Sequence, residues 1–425
     1  MKQIIDLLRE NQNLSAWRVS ETATASYELF FVHKNLETVR ATDTVSTRVT
    51  VYVDHDGKRG DSTFTVSAAM TEKDMEEKIF SAVRRARLVS NQPYELPPAG
   101  VLNAQMPTNM ANEDPKALGR RIADAVFAAD TGEGLSINAC EIFLYRDTLR
   151  VRNSNGVDKT QVTHRVMIEA IPTFTDENQS VELYEDYRFT AFEPDKITAE
   201  IARKMREVRD RAQAQKPQTP MKVNVLLRPQ EISSLIRNLA YSLNYSTVYA
   251  HANPFKVGDD LQKDGDGDKL TVTMKGVIPG SERSACFDDD GAALKDTRII
   301  QGGIVQSYFG SSRFGQYLEV RESSGNLPCA QVGPGTVSQA DMKRAPYLEC
   351  VSLSGLQVDL YSDYIGGEIR LAYYFDGEKA YPVTGVTMSG KLSDALRSLR
   401  LTEETAAQGA YEGPALMLIQ DMNVL

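Results

Sequence analysis

Residues that carry chemistry are scarce in this 425-residue chain, which has four histidines, four cysteines and one tryptophan. No two of the histidines (His33, His55, His164, His251) fall at i, i+3, i+4 or i+5, which argues against a self-contained histidine metal site. The cysteines (Cys140, Cys286, Cys329, Cys350) include no C-x-x-C pair. That spacing supports neither a zinc ribbon nor a disulfide framework and predicts reduced thiols in a cytoplasmic protein. No run approaches the ~20 apolar residues that a membrane helix needs. The opening stretch "MKQIIDLLRENQNLSAW" lacks a long apolar segment and a small-residue cleavage site, so no signal peptide is expected. A net charge of -10 disfavours direct contact with nucleic acid, which needs a basic face. The cluster Arg84, Arg85, Arg87 sits at the end of a predicted helix, where cations complement the helix dipole.

What is present is the composition of a soluble globular protein, with 41% hydrophobic and 25% charged residues. The length exceeds one ordinary core, since domains run to roughly 100–200 residues. The pattern predicts an α+β protein with an N-terminal domain over 1–218 and a β-rich domain over 219–425. The N-terminal part reads as one helix–strands–helix unit written twice, over 1–90 and 114–214, on a shared sheet. Its first copy runs from an amphipathic helix (Ile4, Ile5, Leu7, Leu8) through "YELFFV" and "STRVTVYV" to the turn "DHDGKRG" and the strand "STFTVSA". It closes on a helix that opens with the capping box "TEKD", Thr71 to Asp74, and carries the stripe Met75, Ile79, Ala82, Val83, Ala86. The second copy repeats the order, with Leu118, Ile122, Ala125 and Val126 before "CEIFLYRDTLRVRN" and Ile197, Ile201, Met205 and Val208 after "HRVMIEAI". The stretch "NQPYELPPAGVLNAQMPTN" between them reads as irregular, and "AQAQKPQTP" marks the domain boundary. Beyond it, one leading helix from about Gln230 precedes many strand-like runs.

Several motifs invite chemistry. "KDGDGDKL" resembles a calcium loop, but Lys269 and Lys275 stand where that loop needs Gly and Glu, so it is expected to be a solvated turn. "CFDDDG" sets Cys286 beside Asp288, Asp289 and Asp290, with no histidine near in sequence to activate the thiol. The glycine-rich "GGIVQS" and "GPGTV" lack the lysine and helix of a phosphate cradle. In the leading helix, Ile232, Leu235, Ile236, Leu239, Ala240 and Leu243 form one apolar stripe, which predicts a packing helix.

Taken in order, "ANPFKVG", "FDDDGAALKDTRIIQGGIVQSYFGSSRFGQYL", "SSGN", "LSGLQVD" and "YPVTGVTMSGKLSDAL" resemble the TldD/TldE (PmbA) family, peptide-processing metalloproteases once called modulators of DNA gyrase. The resemblance covers nearly the whole chain. It implies that the leading helix corresponds to the one on which the TldD branch carries HExxxH, with a cysteine near the C-terminus as third zinc ligand. This chain has no histidine from Glu231 to Asn244, and its tail "YEGPALMLIQDMNVL" has no cysteine. The resemblance therefore points to the TldE branch. It implies a non-catalytic subunit without its own zinc, paired with a zinc-bearing HExxxH paralogue, that helps to hold a peptide or unfolded polypeptide. Alone, such a chain could form a homodimer. Ser323, Ser324, Gly325 and Asn326 form a small polar loop that is a candidate for the interface or the peptide groove. Two other readings stay open: an independent hydrolase using Cys286 with the Asp288–Asp290 cluster, and a binding or assembly protein with no proteolytic role.

Overall fold

The computed structural model describes residues 2–132 and 134–425. The chain opens with helix α1 (Lys2–Glu10) and three strands, β1 (Ala16–Val32), β2 (Asn35–His55) and β3 (Lys58–Val66), followed by helix α2 (Glu72–Ala86). Strand β4 (Gly100–Gln105) leads to helix α3 (Pro115–Phe127), the long strands β5 (Leu135–Asn153) and β6 (Val157–Thr175), the short β7 (Ser180–Glu182) and β8 (Glu185–Phe189), and helix α4 (Pro194–Gln213). These strands form one sheet in the order β3-β2-β1-β5-β6-β4, with β7 and β8 also on β6. The two central strands pair antiparallel from Arg18↔Asn153 to Val32↔Ala139.

Alternation decides which face is buried. Val19 of β1 and Val49, Val51 and Val53 of β2 pack under Ile4, Ile5 and Leu8 of α1 and Met75, Ile79 and Val83 of α2. Leu29, Ile142, Leu144, Val166 and Ile168 pack under α3 and α4 through Ile122, Val126, Ile197 and Ile201. The capping box of α2 forms in both directions, with Asp74 N–H donating to Thr71 Oγ1 at 3.2 Å and Thr71 N–H to Asp74 Oδ2 at 2.8 Å. Two sequence expectations need adjustment. The segment read as irregular contains β4, which pairs parallel with β6 from Gly100↔Val157 to Gln105↔Val162. Helix α4 also continues to Gln213, into the stretch read as linker.

The C-terminal half starts with β9 (Met221–Leu227), helix α5 (Pro229–Ser242) and the short helix α6 (Tyr245–Tyr249). Then come β10 (Val272–Lys275), β11 (Thr297–Gln301), β12 (Ile304–Val305), helix α7 (Ser312–Tyr317), β13 (Cys329–Val332) and helix α8 (Gln339–Met342). The rest is β14 (Tyr347–Leu353), β15 (Gln357–Asp359), β16 (Tyr364–Phe375), β17 (Ala380–Val383), β18 (Val386–Lys391), helix α9 (Leu392–Ser398), β19 (Arg400–Leu401), β20 (Thr405–Gln408), β21 (Tyr411–Pro414) and β22 (Met417–Val424). One sheet runs β12-β11-β10-β13-β21-β20. The other runs β14-β9-β22-β18-β16-β15, and a further pairing of β14 with β16 closes it on itself. Helix α5 packs against β9 of the closed sheet and against β13 and β21 of the open one, so both sheets share one core.

The "KDGDGDKL" loop is the turn expected of it. A Cβ on Gly267 would stand 2.6 Å from Leu399 O and 2.7 Å from Arg397 O, so this close approach requires glycine. Asp268 accepts from Leu401 N–H at 2.6 Å and Asp266 pairs with Arg400 at 3.3 Å, which uses the carboxylates in holding the turn to α9 and β19. Among the described residues no helix is long and apolar enough to cross a membrane.

Candidate functional site

Helix α5 is the natural starting point, because its stripe and its outward face do different things. Ile232, Leu235, Ile236, Leu239, Ala240 and Leu243 are all buried in the shared core. Glu231, in the first turn, is buried too, at 6% exposed. Burial pushes its carboxyl up to about 7, against the opposing pull of its own backbone N–H, Arg228 and Lys204.

Beside Glu231 lies a buried charge cluster that joins the two halves of the chain. Arg228, the residue before α5, donates from Nη1 to Glu207 Oε1 at 2.7 Å and from Nε to Glu349 Oε1 at 3.0 Å. Lys204 Nζ stands 3.0 Å from Glu185 Oε2 and 3.1 Å from Glu207 Oε2, while Lys343 Nζ reaches Glu349 Oε2 at 2.7 Å. Burial works to raise the Glu207 carboxyl, but Lys204, Arg203 and Arg228 outweigh it and hold the group below the usual range. Glu349 is lowered in the same way, with burial opposed by Arg228 and Lys343. Each charge of this cluster has an ion-pair partner, so the cluster fastens α4 to the start of α5 and to β14.

A second junction is aromatic. Arg313 of α7 lies over the ring of Tyr94 at 5.0 Å, and Tyr94 meets Tyr317 edge-on with centroids 5.8 Å apart. Gln316 closes a reciprocal pair with Glu95, receiving its N–H at 2.8 Å and donating to its carbonyl at 2.9 Å. The stretch "NQPYELPP" is therefore ordered by contacts with α7 that the sequence does not signal.

The residues of "CFDDDG" also meet the N-terminal half, through Gln161 of β6 and Arg18 of β1, but in structural roles. Cys286 N–H donates to Gln161 Oε1 at 2.7 Å, and its thiol faces Met106 Sδ at 3.6 Å. Burial pushes that thiol up, away from the thiolate a nucleophile needs. Asp288 accepts from Asp290 and Ala292 N–H groups through Oδ1 at 3.0 and 2.9 Å, and from Asn326 N–H through Oδ2 at 3.2 Å. Asp290 pairs with Arg18 of β1.

The loop Ser323–Asn326 packs against this turn. Ser324 is buried, with Oγ accepting from Gly310 N–H at 3.0 Å and donating to Gly325 O at 2.8 Å. Gly325 has φ +72, and a Cβ there would stand 2.7 Å from Leu294 Cδ2. Asn326 Oδ1 receives Asn244 Nδ2 at 3.3 Å, next to the end of α5. Asn326 thus joins the "FDDDG" turn to Asn244, the cap of α6, while Ser324 ties the loop to Gly310.

Where α5 ends, a groove of about 370 Å³ opens between α5, α6 and the chain around β15. Asn238, Tyr241 and Ser242 supply the α5 wall, Ser246 and Thr247 the α6 wall, and Val358 to Tyr361 the third side. Sequence reading missed this groove. Its one local signal is the tyrosine Tyr241 on the polar side of an otherwise amphipathic helix.

Among the described residues no three His, Cys, Asp or Glu side chains gather where they could hold a metal ion. The helix that the resemblance aligns with a zinc helix presents Leu239 and Ala240 to the core instead, so the residues present do not fit that ion.

Comparison with known proteins agrees with this architecture. Residues 220–425 match the PmbA/TldA metallopeptidase C-terminal domain family. TldE from Thermococcus kodakarensis superposes with a TM-score of 0.82 at 13% identity, over 99% of this chain and 99% of that one. A proposed modulator of a DNA gyrase from Thermotoga maritima gives 0.80 at 16% identity, over 100% of this chain and 99% of that one. One from Bacteroides thetaiotaomicron gives 0.78 at 14%, over 100% and 96%. No curated protein sequence matches the chain. The C-terminal domain, residues 220–425, thus belongs to the PmbA/TldA metallopeptidase family, and the chain as a whole has the fold of these structures.

Proposed function

We propose that this chain is the non-catalytic, TldE-like subunit of a heteromeric metallopeptidase. In this reading residues 1–218, built from 1–90 and 114–214, are the scaffold domain, and 219–425 form the family domain. A cytoplasmic HExxxH paralogue supplies the zinc, and the pair processes a peptide or unfolded polypeptide. The observation that carries the reading is α5. Its inward face is a continuous apolar stripe locked into the core, and its one acid, Glu231, is buried at the helix start with its carboxyl pushed up to about 7. A zinc helix needs imidazoles directed at an open site and a carboxylate that can activate water. The Ser323–Asn326 loop, beside the end of α5, is kept as a candidate edge of the interface or peptide groove.

The rival hydrolase is not favoured, because the Cys286 thiol faces a thioether and Asp288 is spent on backbone N–H groups. Nor does a net charge of -10 favour a direct hold on DNA, whatever the names of the similar structures. Light scattering on the chain alone and mixed with its HExxxH paralogue tests the pairing. A stable heteromeric species is expected, with a homodimer as the state of the chain alone; no association at micromolar concentrations would contradict the reading.

A further inference from the structure

We propose that the free edge of β2, Asn35–Ser46, is the surface on which two copies of this chain pair, strand against antiparallel strand about a two-fold axis at Thr42. This rests on the reading of a subunit that pairs with itself when alone, and adds the surface and the register.

Strand β3 covers β2 only from Thr47 to His55, and no other strand pairs with the outer side of Asn35–Ser46 among the described residues. A row of backbone N–H and C=O groups therefore points outward there. Open edges of this length are normally blunted by proline, lysine or a covering element. This one contains neither proline nor lysine. On the helix side of the sheet it carries Val39, Ala41 and Val45, with Val39 46% and Val45 59% exposed. These side chains lie outside both cores of the sheet. Helices α1 and α2 pack over Val49, Val51 and Val53, and α3 and α4 pack over β1, β5 and β6. The upper half of β2 thus presents an apolar strip and a hydrogen-bonding edge at the same place.

Opposed residues of an antiparallel pair share a face, so a two-fold axis through the edge pairs odd residues with odd and even with even. Few registers remain, and charge and length select among them. Centred on Arg40 or on Asp43, the ladder sets that residue against its own copy, and like charges in direct opposition are unfavourable. Centred on Ala41, it sets each Val39 against an Asp43. Centred on Val39, it meets the extra residue Glu37 after two positions and leaves Val45 bare; centred on Thr44, it runs into β3 at Thr47. Only Thr42 serves. There Val39 faces Val45, Ala41 faces Asp43 and Arg40 faces Thr44 of the second copy, so the exposed valines cover each other and threonine meets threonine at the axis. The ladder then ends with Thr38 on Ser46, the last residue before β3 begins to pair. Beyond Thr38, the register shift between Phe30 and Phe31 marks a bulge, which bends the hairpin tip out of the ladder. A peptide of arbitrary sequence would not use this match.

The test is disulfide trapping of the full chain, read against the parent as background. Facing Cα atoms of an antiparallel pair stand about 4.5–5.5 Å apart, within disulfide reach, whereas Thr44 and its copy would be roughly 14 Å apart. Under copper–phenanthroline oxidation Thr42→Cys is expected to give a covalent dimer and Thr44→Cys none. A mixture of Val39→Cys and Val45→Cys chains is expected to give the mixed dimer. The double variant Val39→Lys, Val45→Lys, with folding checked by circular dichroism, is expected to weaken the homodimer by about tenfold or more in light scattering. A parent that is monomeric at micromolar concentrations, a homodimer unchanged in the lysine variant, or equal trapping at Thr42 and Thr44 would overturn the proposal. Pairing with the HExxxH paralogue is read separately. If it forms while the edge fails these tests, the edge is wrong and the subunit reading stands. A trapped homodimer in a chain that never pairs with the paralogue does the reverse.

Discussion

Arg228 donates to Glu207 Oε1 at 2.7 Å, so the residue that precedes α5 is held by the helix that ends the N-terminal sheet. The same guanidinium reaches Glu349 of β14 at 3.0 Å, placing one cation between two buried carboxylates from distant parts of the chain. Removing it would leave Glu207 to Lys204 and Arg203, and Glu349 to Lys343. Arg228→Ala is expected to destabilise the fold by roughly 1.5–3 kcal/mol, the scale of lost hydrogen bonds to charged groups, read by urea unfolding. In a Glu207→Gln, Glu349→Gln background the same change should cost far less. Equal costs in the two backgrounds would show that the cluster is not coupled in this way.

Glu231 yields a prediction in pH. Its folded carboxyl is raised to about 7 by burial, above the ordinary value of an unfolded glutamate. The folded state therefore favours the protonated form, and whatever stability this confers is present at low pH and lost as pH rises through about 7. Glu231→Gln, which mimics the neutral form, should gain up to about 3 kcal/mol over the parent at pH 8 and almost nothing near pH 4.5. Unfolding curves at the two pH values decide it; a difference independent of pH would contradict the buried-acid assignment.

Cys286 is predicted to be dispensable. Cys286→Ala should leave the activity of the assembled complex unchanged, and alkylation of the thiol should accelerate only at alkaline pH, because burial raises its pKa. Loss of activity in Cys286→Ala, with folding intact by circular dichroism, would restore the hydrolase reading.

Ser324 and Gly325 should prove costly for a structural reason. Ser324→Ala leaves the Gly310 N–H without its acceptor, at a cost of about 1–3 kcal/mol. Gly325→Ala combines a left-handed backbone with a 2.7 Å approach to Leu294 Cδ2, so it should also lower the melting temperature. Thermal unfolding of the two variants checks this. If both melt like the parent while peptide binding falls, the loop is a contact surface in its own right.

Local features of this fold were legible in the sequence. Thr71 and Asp74 cap α2 because their bonds span three residues, and the stripe of α5 is buried because its period is helical. Features that depend on distant partners were not. Strand β4 hides in a proline-rich stretch because its partner β6 begins more than fifty residues later, at Val157. The bond of Arg228 to Glu349 and the hold of Tyr361 on Ala252 cross 121 and 109 residues, distances over which no spacing rule applies. The groove is illegible for the same reason: Thr247 and Asp359 come together only when α6 and β15 are packed.

The most direct measurement is zinc content and cleavage of an unfolded polypeptide, for the chain alone and co-purified with its HExxxH paralogue. The account predicts no zinc and no cleavage from the chain alone, and both in the complex. Stoichiometric zinc, or chelator-sensitive cleavage by the chain alone, would contradict it.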